Sequence, residues 1–530
     1  MKRREIIKGL SALPLVGAMH PIESAFAEQN QRRATVPALN DYQKIGVEPF
    51  INCRATLTIL GGSIELPEVA ESKRVNSQFF VHLDELAMGI GQRLSDLTGA
   101  EWGMISCGCA AGMKHVTAAC VTGGNPERLI RIPDLTGFPK TEVIIPTRSR
   151  NQYDAAIRNI GVDIVTVNTA EELEKAINSK TAMIYLMSNL HYDDAPLPLE
   201  QIARVAKPHN IPILVDAAAE DLVVKPNPYL QKGATVVAYS GGKAIHGPQN
   251  AGLLLGKKDT LLAAWQASAP HHGPCRDNKV SKETAMAMLA AVESWIARDH
   301  EATEKMWNSW LENIGKRVSA INGITYAITP PRGLDNRSAS LRISWNPEAF
   351  NITGTDVSNE LYSTKPRIAI NGSAIDNNGM TSISLGSRLM LPGEDKIVAD
   401  RLFEILSKKY DKKPVRAVDP AAVGLSGRWD VDIDFYNSKG RHLLFIEQNG
   451  NSVFGLHKGE FTTRDMNGTV DGNRIRFSSS ERLNAQSVPF TFTGTATNNT
   501  MEGEIAMGEY LAAKFTAKRY VQSQTTGGRS

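Results

Sequence analysis

The chain has 530 residues, enough for about two to four domains, and its hydrophobic fraction of 42% and charged fraction of 22% are those of globular proteins. A formal net charge of +3 gives no electrostatic reason to expect a nucleic-acid partner. The chain has only five cysteines, which argues against a disulfide scaffold. Their spacing is not that of a zinc site, so we expect no metal. They are Cys53, Cys107, Cys109, Cys120 and Cys275.

Residues 1–27 are predicted to form a twin-arginine-like signal peptide. Arg3 and Arg4 precede a short apolar stretch, and Ala25 and Ala27 flank a cleavage point. The pattern predicts export to the periplasm, and a cytoplasmic protein with a basic N-terminus is the alternative. Cleavage removes four basic and two acidic side chains, so the net charge falls from +3 to +1. The apolar stretch is too short to cross a bilayer, and we expect no membrane span.

Residues 28–75 are interpreted as an N-terminal segment that joins a small domain, and residues 76–300 as a large domain. Apolar residues at helical spacing predict a helix over residues 79–98, with Gly99 as its end. Residues 101–113 then predict a strand, a turn of small residues and the start of a helix. Such a helix start can bind an anion through free backbone N–H groups, although close helix packing through glycine and alanine explains the same residues.

Apolar strands alternate with helices from residue 142 to residue 256, which predicts a mostly parallel sheet covered on both faces. Sheets of this kind bind ligands at the carboxyl ends of their strands. Asp216 is placed at one such end. Its carboxylate can cap the following helix or hold a cationic ring nitrogen.

Lys243 follows the apolar strand 234–239 in the sequence Ser-Gly-Gly-Lys-Ala-Ile-His-Gly-Pro-Gln, residues 240–249. The glycines allow a tight turn, and the neighbours of the lysine are small or apolar. Partial burial would lower the pKa of the lysine, as a Schiff-base lysine requires. The alternative is a surface lysine in a glycine-rich loop.

The remaining chain predicts further domains. Residues 301–412 mix short strands with helices, as in a small α+β domain, and residues 413–426 form a linker. From residue 427 to residue 520, period-two alternation and recurring turns predict an all-β sandwich or small barrel, followed by a disordered tail over 521–530.

The turn near Gly108, the strand-end Asp216 and the later Lys243 occur in the order typical of pyridoxal phosphate enzymes of the aspartate-aminotransferase fold. The sequences at residues 98–101, 216–220 and 240–249 resemble the selenocysteine-synthase-like branch, and within it the D-glucosaminate-6-phosphate ammonia lyase group. The resemblance covers about residues 45–410 and implies a fold-type I enzyme of the α/β class that uses pyridoxal 5'-phosphate.

The resemblance also implies roles for individual residues. Lys243 would carry the cofactor and move the α-proton, while Asp216 would keep the pyridine nitrogen protonated. The phosphate would bind at Gly108, at the backbone of Cys109 and Ala110, and at the hydroxyl of Ser240.

The stretch after residue 146 departs from the family pattern. Relatives have a histidine where this chain has Ser149, so we expect Arg150 to cover the cofactor ring instead. Arg148, Tyr153 and Arg388 are candidates to bind substrate anions, with surface charge or a core tyrosine as the alternative.

The predicted activity is that of an enzyme that labilises the α-position of an amino acid or amino sugar acid. A lyase is the first hypothesis; a racemase, an epimerase or a transferase related to L-seryl-tRNA(Sec) selenium transferase is the second. An exported ligand-binding protein with a degenerate fold is the alternative from another class. The fold further implies a homodimer or higher homo-oligomer.

Overall fold

The computed structural model describes residues 40–188, 196–412, 418–483 and 485–521. It divides into two compact units: one comprises the chain up to Lys412 without Arg150–Gln152, and the other comprises Arg150–Gln152 and the chain from Lys413. The predicted signal peptide, residues 413–417 of the predicted linker and residues 522–530 of the predicted tail lie outside the described residues. None of the helices described is long and apolar enough to cross a membrane.

The first unit contains thirteen strands and fifteen α-helices among its described residues. The strands are β1 Phe50–Asn52, β2 Trp102–Ser106, β3 Glu142–Pro146, β4 Asp163–Val167, β5 Thr181–Met187, β6 Ile213–Asp216, β7 Val236–Ser240, β8 Gly252–Gly256, β9 Ile324–Thr329, β10 Ser340–Trp345, β11 Arg367–Ala369, β12 Asn371–Gly372 and β13 Thr381–Gly386. The helices are α1 Asp41–Lys44, α2 Pro67–Asn76, α3 Leu83–Thr98, α4 Cys109–Thr122, α5 Pro126–Leu129, α6 Ala155–Arg158, α7 Ala170–Ala176, α8 Leu199–Ala206, α9 Pro228–Gln231, α10 Lys258–Ala267, α11 Lys282–Ala297, α12 His300–Ser319, α13 Pro347–Phe350, α14 Gly354–Ser363 and α15 Glu394–Ser407.

A seven-stranded sheet forms the centre of this unit, in the order β2-β8-β7-β6-β5-β3-β4. The strands from β7 to β4 pair in parallel, whereas β8 runs antiparallel to both of its neighbours. Helices cover both faces, which is why strands such as β6 are buried along their whole length. The mostly parallel sheet expected from the sequence is therefore confirmed.

The predicted helix over residues 79–98 begins later than expected, at Leu83, and ends at Gly99 with a left-handed φ of 74°. Phe79 and Phe80 precede it with exposed fractions of 59% and 102%. These aromatic side chains extended the apolar pattern in the sequence, but they have no core to pack against within the unit.

A smaller antiparallel sheet follows, in the order β12-β13-β10-β9. Its core includes the buried Trp345, Leu341 and Ile343, packed with residues of α12 and α15. The N-terminal strand β1 joins this part of the unit by pairing in parallel with β11, so that Phe50 lies beside Arg367.

The second unit contains a closed antiparallel barrel of eight strands, β14 to β21, each paired with the next and the last paired with the first. Of the two architectures predicted for residues 427–520, the barrel is the one that forms. Its strands are β14 Gly427–Asp434, β15 Lys439–Asn449, β16 Ser452–Lys458, β17 Thr463–Asp471, β18 Arg474–Leu483, β19 Gln486–Ala496, β20 Thr500–Met507 and β21 Tyr510–Arg519.

Among the side chains of the barrel that the structure describes, the buried ones are apolar except for three that form a hydrogen-bonded chain. His442 Nδ1 lies 2.8 Å from His457 Nε2, and His457 Nδ1 lies 2.7 Å from Ser479 Oγ. All three residues are buried. The chain gives both nitrogens of His457 and the Nδ1 of His442 a hydrogen-bond partner, as buried polar atoms require.

Candidate functional site

Asp216 ends β6 and is buried, with an exposed fraction of 5%. Its Oδ2 accepts a hydrogen bond from the Tyr185 hydroxyl at 3.0 Å, and its Oδ1 accepts one from the Ala218 N–H at 3.0 Å. The Cys109 thiol donates to Oδ1 at 3.4 Å. These donors fix the orientation of the carboxyl group, which can hold the proton of a ring nitrogen.

Lys243 lies in the turn that follows β7, the strand beside β6, and its side chain is partly buried. The turn is tightly packed. A Cβ on Gly241 would lie 2.6 Å from the Met288 sulfur, and a Cβ on Gly242 would lie 2.4 Å from the Gln249 Cα. The two glycines are therefore required by close approach, and the backbone that carries the lysine is fixed.

Residues 58–66, which we call the bracing segment, cross beside this turn. The Ser63 N–H donates to the Gly242 carbonyl at 2.9 Å, and His246 Nδ1 lies 3.1 Å from the Ile64 carbonyl oxygen. Burial, followed by the charges of Arg298 and Arg388, lowers the pKa of His246 to about 3. A neutral His246 thus links the lysine turn to a part of the chain about 180 residues earlier.

The helix α4 begins at Cys109, directly after Gly108, which has a φ of 85°. The first hydrogen bond in the helical pattern runs from the Gly112 N–H to the Gly108 carbonyl, so the preceding N–H groups at the helix start have no acceptor within the helix. Strand β8 approaches closely at this point, because a Cβ on Gly252 would lie 2.5 Å from the Gly108 carbonyl carbon. A phosphate fits this helix start, and Cys109 connects it to Asp216.

The three predicted elements of a pyridoxal phosphate site are thus brought together. Asp216 ends β6, Lys243 follows the adjacent parallel strand β7, and the Cys109 side chain reaches from the helix start to the Asp216 carboxylate. The residues fit pyridoxal phosphate in charge as well as in position: a helix N-terminus for the phosphate, a carboxylate for the ring nitrogen and an amine for the aldehyde. Ser240 ends β7 opposite Gly252, and its contact with the phosphate stays a prediction.

Two acidic residues were missed by the sequence analysis. Glu220 is buried, accepts a short hydrogen bond from the Tyr229 hydroxyl, and pairs through its backbone with Asp335. Burial raises the pKa of Asp335, and the charge of Lys243 acts in the opposite direction. Only a Gly-Leu-Asp-Asn turn marked Asp335 in the sequence, and such a turn does not reveal a backbone bridge to Glu220, more than 100 residues earlier.

Arg388, predicted to bind a substrate anion, has protein partners. It donates to Asp221 Oδ1 at 2.7 Å and to the Arg337 carbonyl at 2.9 Å. The side chains of Arg388 and Asp221 are 8% and 14% exposed. This buried pair joins the chain after β6 to the strands of the smaller sheet, so Arg388 has a structural contact whether or not it also binds substrate.

The other predicted residues lie after β3. Arg148 donates to the Leu197 carbonyl at 2.5 Å, Ser149 is buried, and Tyr153 is 46% exposed. Arg150 belongs to the stretch that groups with the second unit. Its place over the cofactor ring stays a prediction, as do the substrate contacts of Arg148 and Tyr153.

Comparisons with known proteins agree with this geometry. Residues 88–299 match the family described as Cys/Met metabolism PLP-dependent enzyme. The chain is 30% identical over 382 residues to D-glucosaminate-6-phosphate ammonia lyase of Salmonella typhimurium, a match that covers 70% of this chain and 99% of that protein. It is 26% identical over 378 residues to 5'-C-glycyluridine monooxygenase-decarboxylase of a Streptomyces species, covering 69% of this chain and 92% of that protein.

More distant matches include L-seryl-tRNA(Sec) selenium transferase of Proteus mirabilis, at 27% identity over 300 residues, or 50% of this chain and 59% of that protein. Among solved structures, that of D-glucosaminate-6-phosphate ammonia lyase superposes with a TM-score of 0.63 at 29% identity. It covers 71% of this chain and 100% of that chain.

Proposed function

The chain belongs to the family of pyridoxal phosphate-dependent enzymes that includes D-glucosaminate-6-phosphate ammonia lyase, and from this membership we propose that it is an ammonia lyase acting on an amino acid or an amino sugar acid. The observation that carries the proposal is the 30% identity over 99% of that relative's length. Asp216 and Lys243, which lie at the ends of the adjacent parallel strands β6 and β7, support the proposal.

The residues of this chain have separate tasks in such a reaction. When bound, pyridoxal phosphate supplies an electron sink for negative charge at the α-carbon. Lys243 holds the cofactor and accepts the α-proton through its ε-amino group. Asp216, oriented by Tyr185 and Cys109, keeps a proton on the ring nitrogen. The N-terminus of α4 binds the phosphate.

The first test is the absorption spectrum of the purified protein beside Lys243→Ala. We expect the yellow colour of lysine-bound pyridoxal phosphate in the native protein and in Lys305→Ala, a control at an exposed lysine paired with Glu301. The Lys243→Ala variant should lack it. A protein that stays colourless with added pyridoxal phosphate would refute the enzyme and favour a ligand-binding protein.

The second test is a screen of amino acids and amino sugar acids for products. A lyase releases ammonia and a keto acid in equal amounts, and both depend on Lys243. Inversion of the substrate without ammonia would identify a racemase or epimerase instead. Incorporation of an added nucleophile at the β-carbon would identify a transferase.

We also propose that the protein is exported by the twin-arginine route. The support is the order of charge, apolar stretch and small residues within residues 1–27. Cell fractionation should recover the protein in the periplasm, and a variant with Arg3→Lys and Arg4→Lys should remain in the cytoplasm. Equal export of both forms would refute this route.

A homo-oligomer is proposed from the fold and from exposed apolar residues. Phe79, Phe80 and Val81 are 59%, 102% and 49% exposed and form a continuous apolar stretch before α3. Light scattering should show at least a dimer, and Phe80→Ser should weaken it. Phe461→Ser, at a barrel residue that is 83% exposed, is the control. A monomer that holds its full complement of cofactor would refute the proposal.

A further inference from the structure

The two ends of the barrel differ in the residues of their turns. Because each strand pairs antiparallel with the next, successive turns lie at alternate ends of the barrel. The turns at one end consist only of glycine, asparagine and threonine, which are residues that hairpin turns favour. These turns are residues 450–451, 472–473 and 497–499.

The opposite end carries exposed apolar side chains, and we call it the aromatic rim. Its members are Tyr436, Phe461, Tyr510 and Leu511, which are 79%, 83%, 44% and 65% exposed. They lie in or directly beside three turns, at residues 435–438, 459–462 and 508–509. Turn residues are commonly polar, so apolar side chains at three turns of the same end mark a binding surface.

A cavity of about 280 Å³ lies at the aromatic rim, between the β14–β15 turn and the strands β20 and β21. Binding sites for small molecules have volumes from roughly 300 Å³ upward, so the cavity has the size that holds a small ligand or one ring of a larger one. Buried side chains such as Trp429 and Phe477 fill the barrel itself. A ligand therefore binds on the rim and not inside the barrel.

One side of the cavity is aromatic. Phe435 and Tyr436 line it together with the small side chains of Ala512 and Ala513. The ring of Phe435 packs on Gly440, where an added Cβ would lie 2.7 Å from the ring carbon Cε2. This contact holds the Phe435 ring in place before a ligand arrives, which lowers the entropic cost of binding.

The polar side of the cavity is balanced in charge. Lys514 on β21 lies opposite Asp434 on β14 and opposite Glu504 on β20, and all three side chains are exposed. Lys439 forms an ion pair with Asp434 at 3.1 Å. Two carboxylates and two ammonium groups leave no net charge, so the cavity favours neither an anion nor a cation. It offers acceptors and a donor to the hydroxyl groups of a neutral ligand.

We propose that the aromatic rim binds an uncharged oligosaccharide. One sugar ring stacks on Tyr436 through its apolar C–H face, and its hydroxyl groups form hydrogen bonds with Asp434, Glu504 and Lys514. The site is separate from that of the proposed lyase, because its residues lie outside the stretch 88–299 that matches the family of pyridoxal phosphate enzymes.

Other occupants fit the cavity less well. A protein partner would bury its charged side chains, whereas the centres of protein interfaces are depleted of charge. An anionic lipid surface is attracted by an excess of basic side chains, and the charges at this cavity cancel.

The test is calorimetric titration of the full chain with cellohexaose, maltohexaose and chitohexaose, three uncharged hexasaccharides. We expect at least one of them to bind. Tyr436→Ala should weaken that binding about tenfold or more, because the sugar ring loses the surface on which it packs. The control is Phe454→Ala, at a 45% exposed aromatic residue of β16 outside the rim, which should bind like the native protein. Because Tyr436 is exposed, its variant should melt like the native protein.

A second variant tests the polar side of the cavity. Glu504→Ala should weaken binding about tenfold, as expected for the loss of a hydrogen bond to a charged group. No binding by any of the three probes, or unchanged affinity in either variant, would overturn the proposal. Tighter binding of polygalacturonate would show that the site selects an anion and would also overturn it. Sedimentation with phosphatidylcholine vesicles that is lost in Tyr436→Ala would identify a lipid surface as the occupant instead.

Discussion

Replacing Gly62 by alanine tests whether the bracing segment holds the lysine turn. Gly62 has a φ of +70°, and its added Cβ would lie 2.7 Å from the Gly242 carbonyl oxygen. The left-handed backbone costs an alanine about 1–2 kcal/mol. Displacing the Gly242 carbonyl also breaks its hydrogen bond from Ser63, for about 1 kcal/mol more. The total is about 2–3 kcal/mol, and part of it falls on the backbone that carries Lys243.

The adjacent Gly61 provides a matched control. Its φ is +89°, but its Cβ would meet no atom within 4 Å. Gly61→Ala therefore has the free-energy cost of a left-handed alanine, but its Cβ does not collide with the Gly242 carbonyl oxygen. In a titration with pyridoxal phosphate followed by absorption, Gly62→Ala should bind about five- to tenfold more weakly than Gly61→Ala, equivalent to about 1 kcal/mol. If both variants bind the cofactor equally, the contact between the segment and the lysine turn has no role in the site.

Three further predictions follow from individual contacts. Asp216→Asn removes the negative charge beside the ring nitrogen, so we expect turnover to fall about a hundredfold or more in steady-state kinetics. The absorption spectrum should keep the yellow colour. Unchanged turnover would contradict the role assigned to Asp216. Burial lowers the pKa of His442 to about 4 and of His457 to about 3. Below a pH of about 6.5 the unfolded chain therefore binds more protons than the folded barrel. The free energy of unfolding is highest above that pH and falls as the pH drops towards about 4. Urea unfolding of His457→Gln should show a weaker dependence of this free energy on pH. Arg388→Gln leaves Asp221 buried without its partner, so the free energy of unfolding should fall by about 3–5 kcal/mol. Adding Asp221→Asn should recover part of this loss, which a double-mutant cycle measures.

The local pattern of the sequence predicted the elements that carry the chemistry. Val236–Ser240 and Ile213–Asp216 are short apolar runs ended by turn residues, and such runs specify buried strands without help from the rest of the chain. Closure of the barrel was not predictable in the same way. Polar and apolar residues alternate along a strand such as Gly427–Asp434 in a sandwich and in a barrel alike. What distinguishes the barrel is that its first strand, β14, pairs with its last, β21, with Trp429 opposite Arg519.

The contacts that complete the site could not be predicted from the local sequence pattern. Asp335 and Glu220 meet through a backbone bridge, and Arg388 meets Asp221, in each case over more than 100 residues of chain. A buried acid and a buried arginine look like surface residues in a sequence, because their pairing depends on the packing of distant elements.

The pairing of β1 with β11 bears on the order in which a growing chain can fold. Phe50 finds its neighbour only when Arg367 has been made, and the arginine that joins Asp221 follows at residue 388. The catalytic half of the protein is thus rich in contacts of long sequence separation, which slow folding. In the barrel, by contrast, each strand pairs with the one synthesised just before it, apart from the final closure of β21 on β14. A chain that ends before residue 388 therefore lacks the buried partner of Asp221, which lies five residues after Asp216.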